Sequence, residues 1–534
     1  MKKHSILENK LYLYLTEFFS GVSVMAVELG ASRLLAPYFS SSQIVWTIII
    51  GTIMIAMALG NLYGGKSADR NPDPDILYRR ILIAAVWIAA IPAVGKYVIL
   101  GASALLIFTI DTNFLIIAAF VSCMIIFVFP LFLLGTVTPS LVKYTVDSLD
   151  DSGRTVGMLN ACNTIGSIIG TFIPTFVTIP AVGTSATFLI FSGILLVIGL
   201  IYFLSSKHMA RICVICLILF VLFVVFGRSD SFAFWEEDLL YEGESVYNYL
   251  QVKEDDNEIV LSTNVLFGVQ SIKMKNSQLT GMYYDYALAA PVMTGSEKSL
   301  DILVLGNGTG TFAALCLDLF PGSSVDAVEI DSRITELAGI YFDMPDSVKV
   351  SEYDGRAWLM AAKDQYDVIM VDAYQDITIP FQMSTREFFT LVRDHLRDGG
   401  IMVVNMNMYS DGEGSINNYL TDTICSVFDH ACSVNVPGTT NRELFACCSE
   451  DPSLMLDRSL EQLNNTTLRL LLSKVSSSIE ECSAGTLILT DDKAPVELLG
   501  MKLIDSLIAD EVRYYKDIYE KEGLRGILDD FGIY

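Results

Sequence analysis

Histidine is scarce in this chain, four in 534 residues, and that removes the commonest general base and metal ligand from most of the sequence. His395 falls in the helix-like run Arg386 to Arg397 and reads as a surface residue. The ten cysteines read as scattered without C-x-x-C or Cys/His ligand spacing, so neither a zinc site nor a disulfide framework is expected. The adjacent Cys447 and Cys448 lie in an apolar, strand-like run and read as packed side chains. Cations are short as well: 35 Lys and Arg stand against 61 Asp and Glu, a net charge of −26. A chain without clustered basic residues lacks what neutralises phosphates, which excludes nucleic acid as a partner. The first apolar stretch is long and has no clear small-residue cleavage site, so no cleavable signal is expected.

What the chain has in excess is apolar surface. Hydrophobic residues make up 52% of it and the mean hydropathy is +0.47, too apolar for an ordinary soluble protein, so part is expected to lie in a bilayer. Divided after Ser229, the first half holds 14 Lys and Arg against 10 Asp and Glu, and the second 21 against 51. The acidity therefore belongs to the second half, where it favours a cationic small partner and equally suits a soluble surface with no ligand. Runs long enough to cross hydrocarbon as helices cover 11–37, 44–63, 81–100, 114–142, 157–180, 184–204 and 212–226, the last being the shortest. Gly60-x-x-x-Gly64 and Gly166-x-x-x-Gly170 permit close helix approach, so a packed bundle is expected.

Glu17, Glu28, Arg33 and Lys96 fall inside these runs, where charge marks a functional site, an interhelical pairing or a topology signal. The stretch Gly64-Gly-Lys-Ser-Ala-Asp-Arg70 resembles a cytoplasmic loop of major-facilitator transporters over that short length alone. Lys2, Lys3, Lys10, Lys66, Arg70, Arg79, Arg80, Lys143, Arg154, Lys207 and Arg211 all lie at the N-terminus or in even-numbered loops, which assigns those to the cytoplasmic side. Seven crossings would leave the acidic half outside. A run 212–226 that does not cross, or a run 114–142 that is not a simple span, would bring it back inside.

In the acidic half, 245–253, 258–263 and 266–275 read as the strands of a small β unit. Strands at 302–305, 325–330, 348–350, 368–371 and 401–405 then alternate with helices at 311–320, 332–342, 356–363 and 385–396, which predicts a doubly wound parallel sheet of α/β Rossmann type. The domains expected are 1–229 (transmembrane helical), 230–295 (small β unit) and 296–534 (Rossmann-like). Asp301-Ile-Leu-Val-Leu-Gly-Asn-Gly-Thr-Gly310 is an apolar strand entering a glycine turn, and Val328-Glu-Ile-Asp331 places an acid at the next strand's end, as in nucleoside-binding sheets. Ligands bind outside the C-terminal strand ends, where Gly306, Gly308, Gly310, Glu329, Asp354, Gly355 and Asp372 all fall. Glu329 suits ribose hydroxyls and Asp354-Gly355 an adenine edge. Asp372 suits chemistry or a cationic substrate, or else a turn cap, and Asp376 shares either role.

These residues resemble the spermidine synthase family: the region of Tyr247, Gln270, Tyr283-Tyr-Asp-Tyr286, the glycine turn, Val328-Glu-Ile-Asp331, Tyr353-Asp-Gly355 and the strand ending in Asp372. Glu28-Leu-Gly-Ala-Ser-Arg-Leu-Leu-Ala-Pro-Tyr38 and Leu489-Thr-Asp-Asp-Lys-Ala-Pro-Val-Glu497 extend the resemblance to the bacterial membrane-fused members over nearly the whole chain. The resemblance implies a multi-pass protein of the bacterial inner membrane that transfers an aminopropyl group from decarboxylated S-adenosylmethionine to a diamine such as putrescine, without a metal. It implies Asp372 as the acid that takes the amine proton, Gly306, Gly308, Thr309, Gly310, Glu329, Asp354 and Gly355 on the nucleoside, and Gln270, Tyr284, Asp285 and Asp376 toward the polyamine. Expected partners are the lipid bilayer and a cationic diamine, with a homo-oligomer left open. One departure weakens the choice of co-substrate: Thr309 stands where the family has an Asp that pairs with the co-substrate's terminal ammonium. A methyltransferase-type use of ordinary S-adenosylmethionine therefore stays open, as does a non-catalytic membrane sensor or transport partner that binds polyamine or nucleoside.

Overall fold

The computed structural model describes residues 5–501 without 40–41, 108–109, 111–112, 146–151, 207–209, 228–238, 265–268, 296–298, 374–378, 408–411 and 413, together with several positions between 513 and 526. The apolar half is helical: α1 (Lys10–Phe39), α2 (Gln43–Arg70), α3 (Pro74–Ile107), α4 (Phe114–Gly135), α5 (Val137–Thr145), α6 (Ser152–Ile173), α7 (Ile179–Ser206) and α8 (Ala210–Phe226). Among the described residues, five stretches in it are long and apolar enough to cross a membrane, the fifth being the 54 residues Ser152–Ser205, and Arg211–Phe226 is a shorter apolar helix. Gly183, at φ 81° and ψ 169°, breaks that fifth stretch, and the expected runs 157–180 and 184–204 fall on either side of it. The expected single run 114–142 is two helices, α4 and α5. Cys213 and Cys216 do have C-x-x-C spacing, but they are unbridged and buried in α8.

Glycines set the helix pairings, because a missing side chain lets one backbone rest on another. A Cβ on Gly166 would lie 2.1 Å from the Phe18 carbonyl oxygen, and one on Gly170 2.3 Å from that of Val22, so α6 runs parallel to α1. Gly60 meets Phe132 and Gly64 meets Thr136 in the same way, making α2 parallel to α4. Against α1, α7 is antiparallel: Tyr12 Oη donates to the Ile198 carbonyl at 2.7 Å, while Gly30 faces Phe188. α6 and α7 thus form a hairpin. Inside the bundle, buried Glu17 accepts hydrogen bonds from Thr138 Oγ1 at 2.5 Å and Asn163 Nδ2 at 2.9 Å.

The Lys- and Arg-bearing helix ends gather at one end of the bundle, where Lys143 pairs with Asp69 at 2.8 Å and Arg80 donates to Ser67 at 2.7 Å. The acidic half sits at the other end. There Arg33 donates to the Val246 carbonyl, Thr184 donates twice to Glu244 at 2.7 Å, and the Gln43 amide donates to Glu497 at 2.6 Å.

The acidic half opens with an antiparallel sheet in the order β1 (Leu239–Glu244), β2 (Tyr249–Glu254), β3 (Glu258–Thr263), β4 (Ser271–Met274). Two short helices, α9 (Tyr283–Ala287) and α10 (Ala289–Met293), lead to the alternation β5 (Asp301–Leu305), α11 (Thr311–Leu319), β6 (Ser324–Glu329), α12 (Ser332–Tyr341), β7 (Lys349–Glu352), α13 (Gly355–Ala361), β8 (Tyr366–Val371), α14 (Arg386–Asp394), β9 (Leu396–Met406). After α15 (Ile416–Cys425) come β10 (His430–Asn435), β11 (Arg442–Cys447), α16 (Pro452–Leu460), α17 (Thr466–Ser478) and β12 (Glu480–Glu481). The large sheet has the order β12-β10-β11-β9-β8-β5-β6-β7. Its strands from β9 to β7 are parallel, as expected, with apolar cores on both faces. Beyond β9, where no further sheet strand is read from the sequence, the sheet becomes mixed. There β10 and β11 form a hairpin, turning at Gly438 with φ 78°, and β11 inserts antiparallel beside β9.

Because Gly166 rests on backbone, Gly166→Leu would overpack the α1/α6 contact and cost about 1–3 kcal/mol. Thermal unfolding of the detergent-purified protein checks this, and an unchanged midpoint would show that the two helices do not touch there.

Candidate functional site and family

β5 delivers its chain into the turn 306–310, where Gly306, Gly308 and Gly310 have φ of 88°, 52° and 84°, values that suit glycine. A Cβ on Gly306 would stand 2.5 Å from the Asp372 carbonyl oxygen, so that glycine brings the tips of β5 and β8 together. The Gly308 amide donates to Glu329 Oε2 at 2.9 Å, and the Asp331 amide to Glu329 Oε1 at 3.0 Å. The carboxylate at the end of β6 is thereby held at the turn with further lone pairs open for hydroxyls. Asp354 caps α13 through the Ala357 amide at 2.8 Å. Gly306, Gly308, Glu329, Asp354, Gly355 and Asp372 all line one cleft, which Gln270 and Tyr284 close from the side of the small sheet. Asn307 Oδ1, on a residue of the cleft, is buried with no hydrogen-bond partner among the described residues.

Asp372 is held from two directions. Tyr283 Oη donates to its Oδ2 at 2.7 Å and Asn405 Nδ2 to its Oδ1 at 2.9 Å. Asn405 is fixed in turn by Asn441 Nδ2 at 2.9 Å. Tyr284 Oη donates to the Gln270 carbonyl at 3.0 Å. Burial pushes the Asp372 carboxyl up to about 7, against the opposing pull of the bonds from Tyr283 and Asn405. Glu329 is likewise pushed up to about 7 by burial, against the backbone amides that bind its charged form.

Three expected site residues are not on the cleft wall. Thr309 is buried, and its amide is bonded to Ser271 Oγ at 3.2 Å. Gly310 forms the N-cap of α11. Asp285 spends both oxygens on its own turn, accepting from the Thr280 amide and hydroxyl at 2.9 Å and from the Gly281 amide at 2.7 Å. Asp376 lies outside the described residues. Tyr283 and Asn405 were not foreseen as partners of Asp372. Tyr283 stood in the recognised aromatic run, while Asn405, at the end of an expected strand, carried no signal beyond its place beside the Asp372 strand tip.

A family model described as "Spermine/spermidine synthase domain" matches residues 282–452. The chain is 52% identical over 346 residues to a "Probable polyamine aminopropyl transferase" of Bifidobacterium longum, an alignment covering 62% of this chain and 77% of that one. The chain belongs to the polyamine aminopropyltransferase family. A polyamine aminopropyltransferase of Vibrio vulnificus is 26% identical over 231 residues, 42% of this chain and 76% of the relative. Among solved structures, a probable spermidine synthase from Corynebacterium glutamicum aligns with a TM-score of 0.37 at 21% identity, over 46% of this chain and 96% of that one.

The raised carboxyls give the family site a pH signature. Asp372 and Glu329 bind their protons more tightly folded than unfolded, so both favour the fold at pH below their ordinary values of 3.8 and 4.5, and that contribution is lost as pH rises through about 7. Asp301 and Asp491, held low by hydrogen bonds, act only in more acidic solution. The unfolding midpoint of the ligand-free protein is therefore expected to fall from pH 5 to pH 8, and less steeply in Glu329→Gln. Equal slopes in the two proteins would refute the buried-carboxylate account.

Proposed function

We propose that the chain transfers the aminopropyl group of decarboxylated S-adenosylmethionine to an amine of a diamine such as putrescine. The observation that carries this reading is Asp372, a carboxylate at a strand tip, oriented by Tyr283 and Asn405 and facing the cleft that Glu329 and the glycine turn line. Glu329 accepts the ribose hydroxyls, and Asp354 with Gly355 meets the adenine edge. Asp372 takes a proton from the acceptor nitrogen, whose lone pair then forms the new C–N bond as the C–S bond breaks and its electron pair returns to the sulfonium sulfur. A carboxyl near 7 serves as such a base at neutral pH.

The choice of the decarboxylated co-substrate rests on charge. Among the described residues of the cleft wall there are three carboxylates, Glu329, Asp354 and Asp372, and no Lys or Arg to receive a carboxylate. Thr309 favours the second reading, use of ordinary S-adenosylmethionine, because the glycine turn supplies no acid to the co-substrate's ammonium. Replacing Asp372 by Asn keeps size and removes the base, so turnover is expected to fall about a hundredfold or more while nucleoside affinity is retained. Unchanged turnover would end the general-base role.

We further infer that the helical half spans the bacterial inner membrane with its Lys- and Arg-rich end in the cytoplasm and the transferase domain on the opposite face. Epitope tags inserted at Asn71 and at Gly438 are expected on opposite sides of the membrane, the second reached by antibody in intact spheroplasts. Labelling of both from the same side would overturn this orientation.

A further inference from the structure

Glu443 is a buried acidic residue of the site region that no part of the mechanism uses. It lies in β11 directly across the ladder from Asn405, the residue that binds Asp372. Side chains at paired positions of an antiparallel ladder leave the sheet on the same face, so Glu443 projects beside Asn405, under the helix that carries Tyr283 and Tyr284. It is 0% exposed, and neither of its carboxylate oxygens has a hydrogen-bond partner among the described residues. A buried carboxylate left in that state is costly unless a cation or a network of donors meets it. Among the described residues neither is supplied: the charged group acting on Glu443 is Asp372, another anion. Glu443 also acts electrostatically on Tyr284, a residue of the cleft wall. The unpartnered carboxylate therefore lies one layer behind the cleft wall, next to Asp372 and Tyr284, which are on that wall.

We propose that Glu443 receives the second ammonium group of the acceptor, so that Asp372 and Glu443 together select a dicationic diamine over a monoamine. The inference rests on the aminopropyl-transfer reading and adds a residue that fixes its substrate class. Asp372 handles the nitrogen that attacks. Glu443 holds the nitrogen that does not react, through a charge-assisted bond in a site closed to water, where such a bond discriminates strongly.

The test compares 1,4-diaminobutane with n-butylamine, of equal chain length and one fewer nitrogen, as acceptors for the purified full-length protein. Wild type is expected to favour the diamine. In Glu443→Gln, kcat/KM for the diamine is expected to fall about a hundredfold or more, mainly through KM, with little change for n-butylamine and none in 5′-methylthioadenosine affinity. A parallel loss for both amines would mark Glu443 as a packing residue and overturn the proposal, as would an undiminished preference for the diamine. Should Glu443→Gln fail to fold, the same ratio read in Glu443→Asp, which keeps the charge and moves it back by one methylene, is expected to fall partway, and an unchanged ratio there also overturns it. Wild type that binds the nucleoside yet transfers to neither amine would sink the transfer reading itself. Transfer without a shift of ratio in the variants would sink the Glu443 assignment alone.

Discussion

The site depends on one close approach, the packing of Gly306 against the backbone of Asp372. With any side chain at 306 the tips of β5 and β8 would be forced apart, and the two ends of the proposed reaction would separate with them. The turn from β5 fixes Glu329 through the Gly308 amide, and β8 presents Asp372. A separation of about 1 Å between bound reactants is enough to lose much of the gain from positioning. The glycine turn therefore acts less as a flexible loop than as a spacer of zero thickness between Glu329 and Asp372.

The same strand tips are tied to the helical half. Asp331, two residues beyond Glu329, accepts from Ser245 Oγ at 2.6 Å and Asn248 Nδ2 at 2.8 Å. That turn between β1 and β2 also receives Arg33 from α1 on the Val246 carbonyl, and Glu244 beside it takes both donors of Thr184. One short segment thus touches α1, the start of the second arm of the α6/α7 hairpin, and the turn that follows the strand carrying Glu329. Arg33, in the N-terminal signature, takes part in this docking. The C-terminal signature also works as a brace. Its Asp491 grips Arg356 of α13 at 2.6 and 2.7 Å and Thr385 at 2.7 Å, steadying the helix that Asp354 caps.

The parts of the fold legible in the sequence were those with strong periodicity. The apolar runs became helices, and β5, β6 and β8, buried on both faces, were visible as short apolar runs bounded by turns. The strand-end residues Gly306, Glu329, Asp354 and Asp372 converge on one cleft because a parallel sheet places all its C-terminal ends on one edge. Thr309 and Asp285 were misplaced for a local reason. Sequence position put them in the right segments, but only backbone geometry decides which side chain of a tight turn faces the ligand and which satisfies its own amides. Asn441 and Glu443 escaped notice because they sit where a hairpin, not a crossover, returns the chain, and nothing in the alternation of strands and helices announced that return; Asn405 stood in an expected strand, but its partners come from that hairpin.

That hairpin changes what the sheet can do. In a sheet ending at β9, Asp372 would have the Tyr283 hydroxyl on one side and no braced partner on the other. Inserting β11 antiparallel brings Asn441 to hold Asn405, which then orients Asp372. The same register sets Glu443 opposite Asn405, in the interior, where a carboxylate gains nothing from the fold itself. Buried acids at Glu329, Asp372 and Glu443 all have their charged forms disfavoured by burial. On the proposed reading, a cation bound beside Asp372 would favour the charged forms of these acids, so the cost of burying them would be offset on binding.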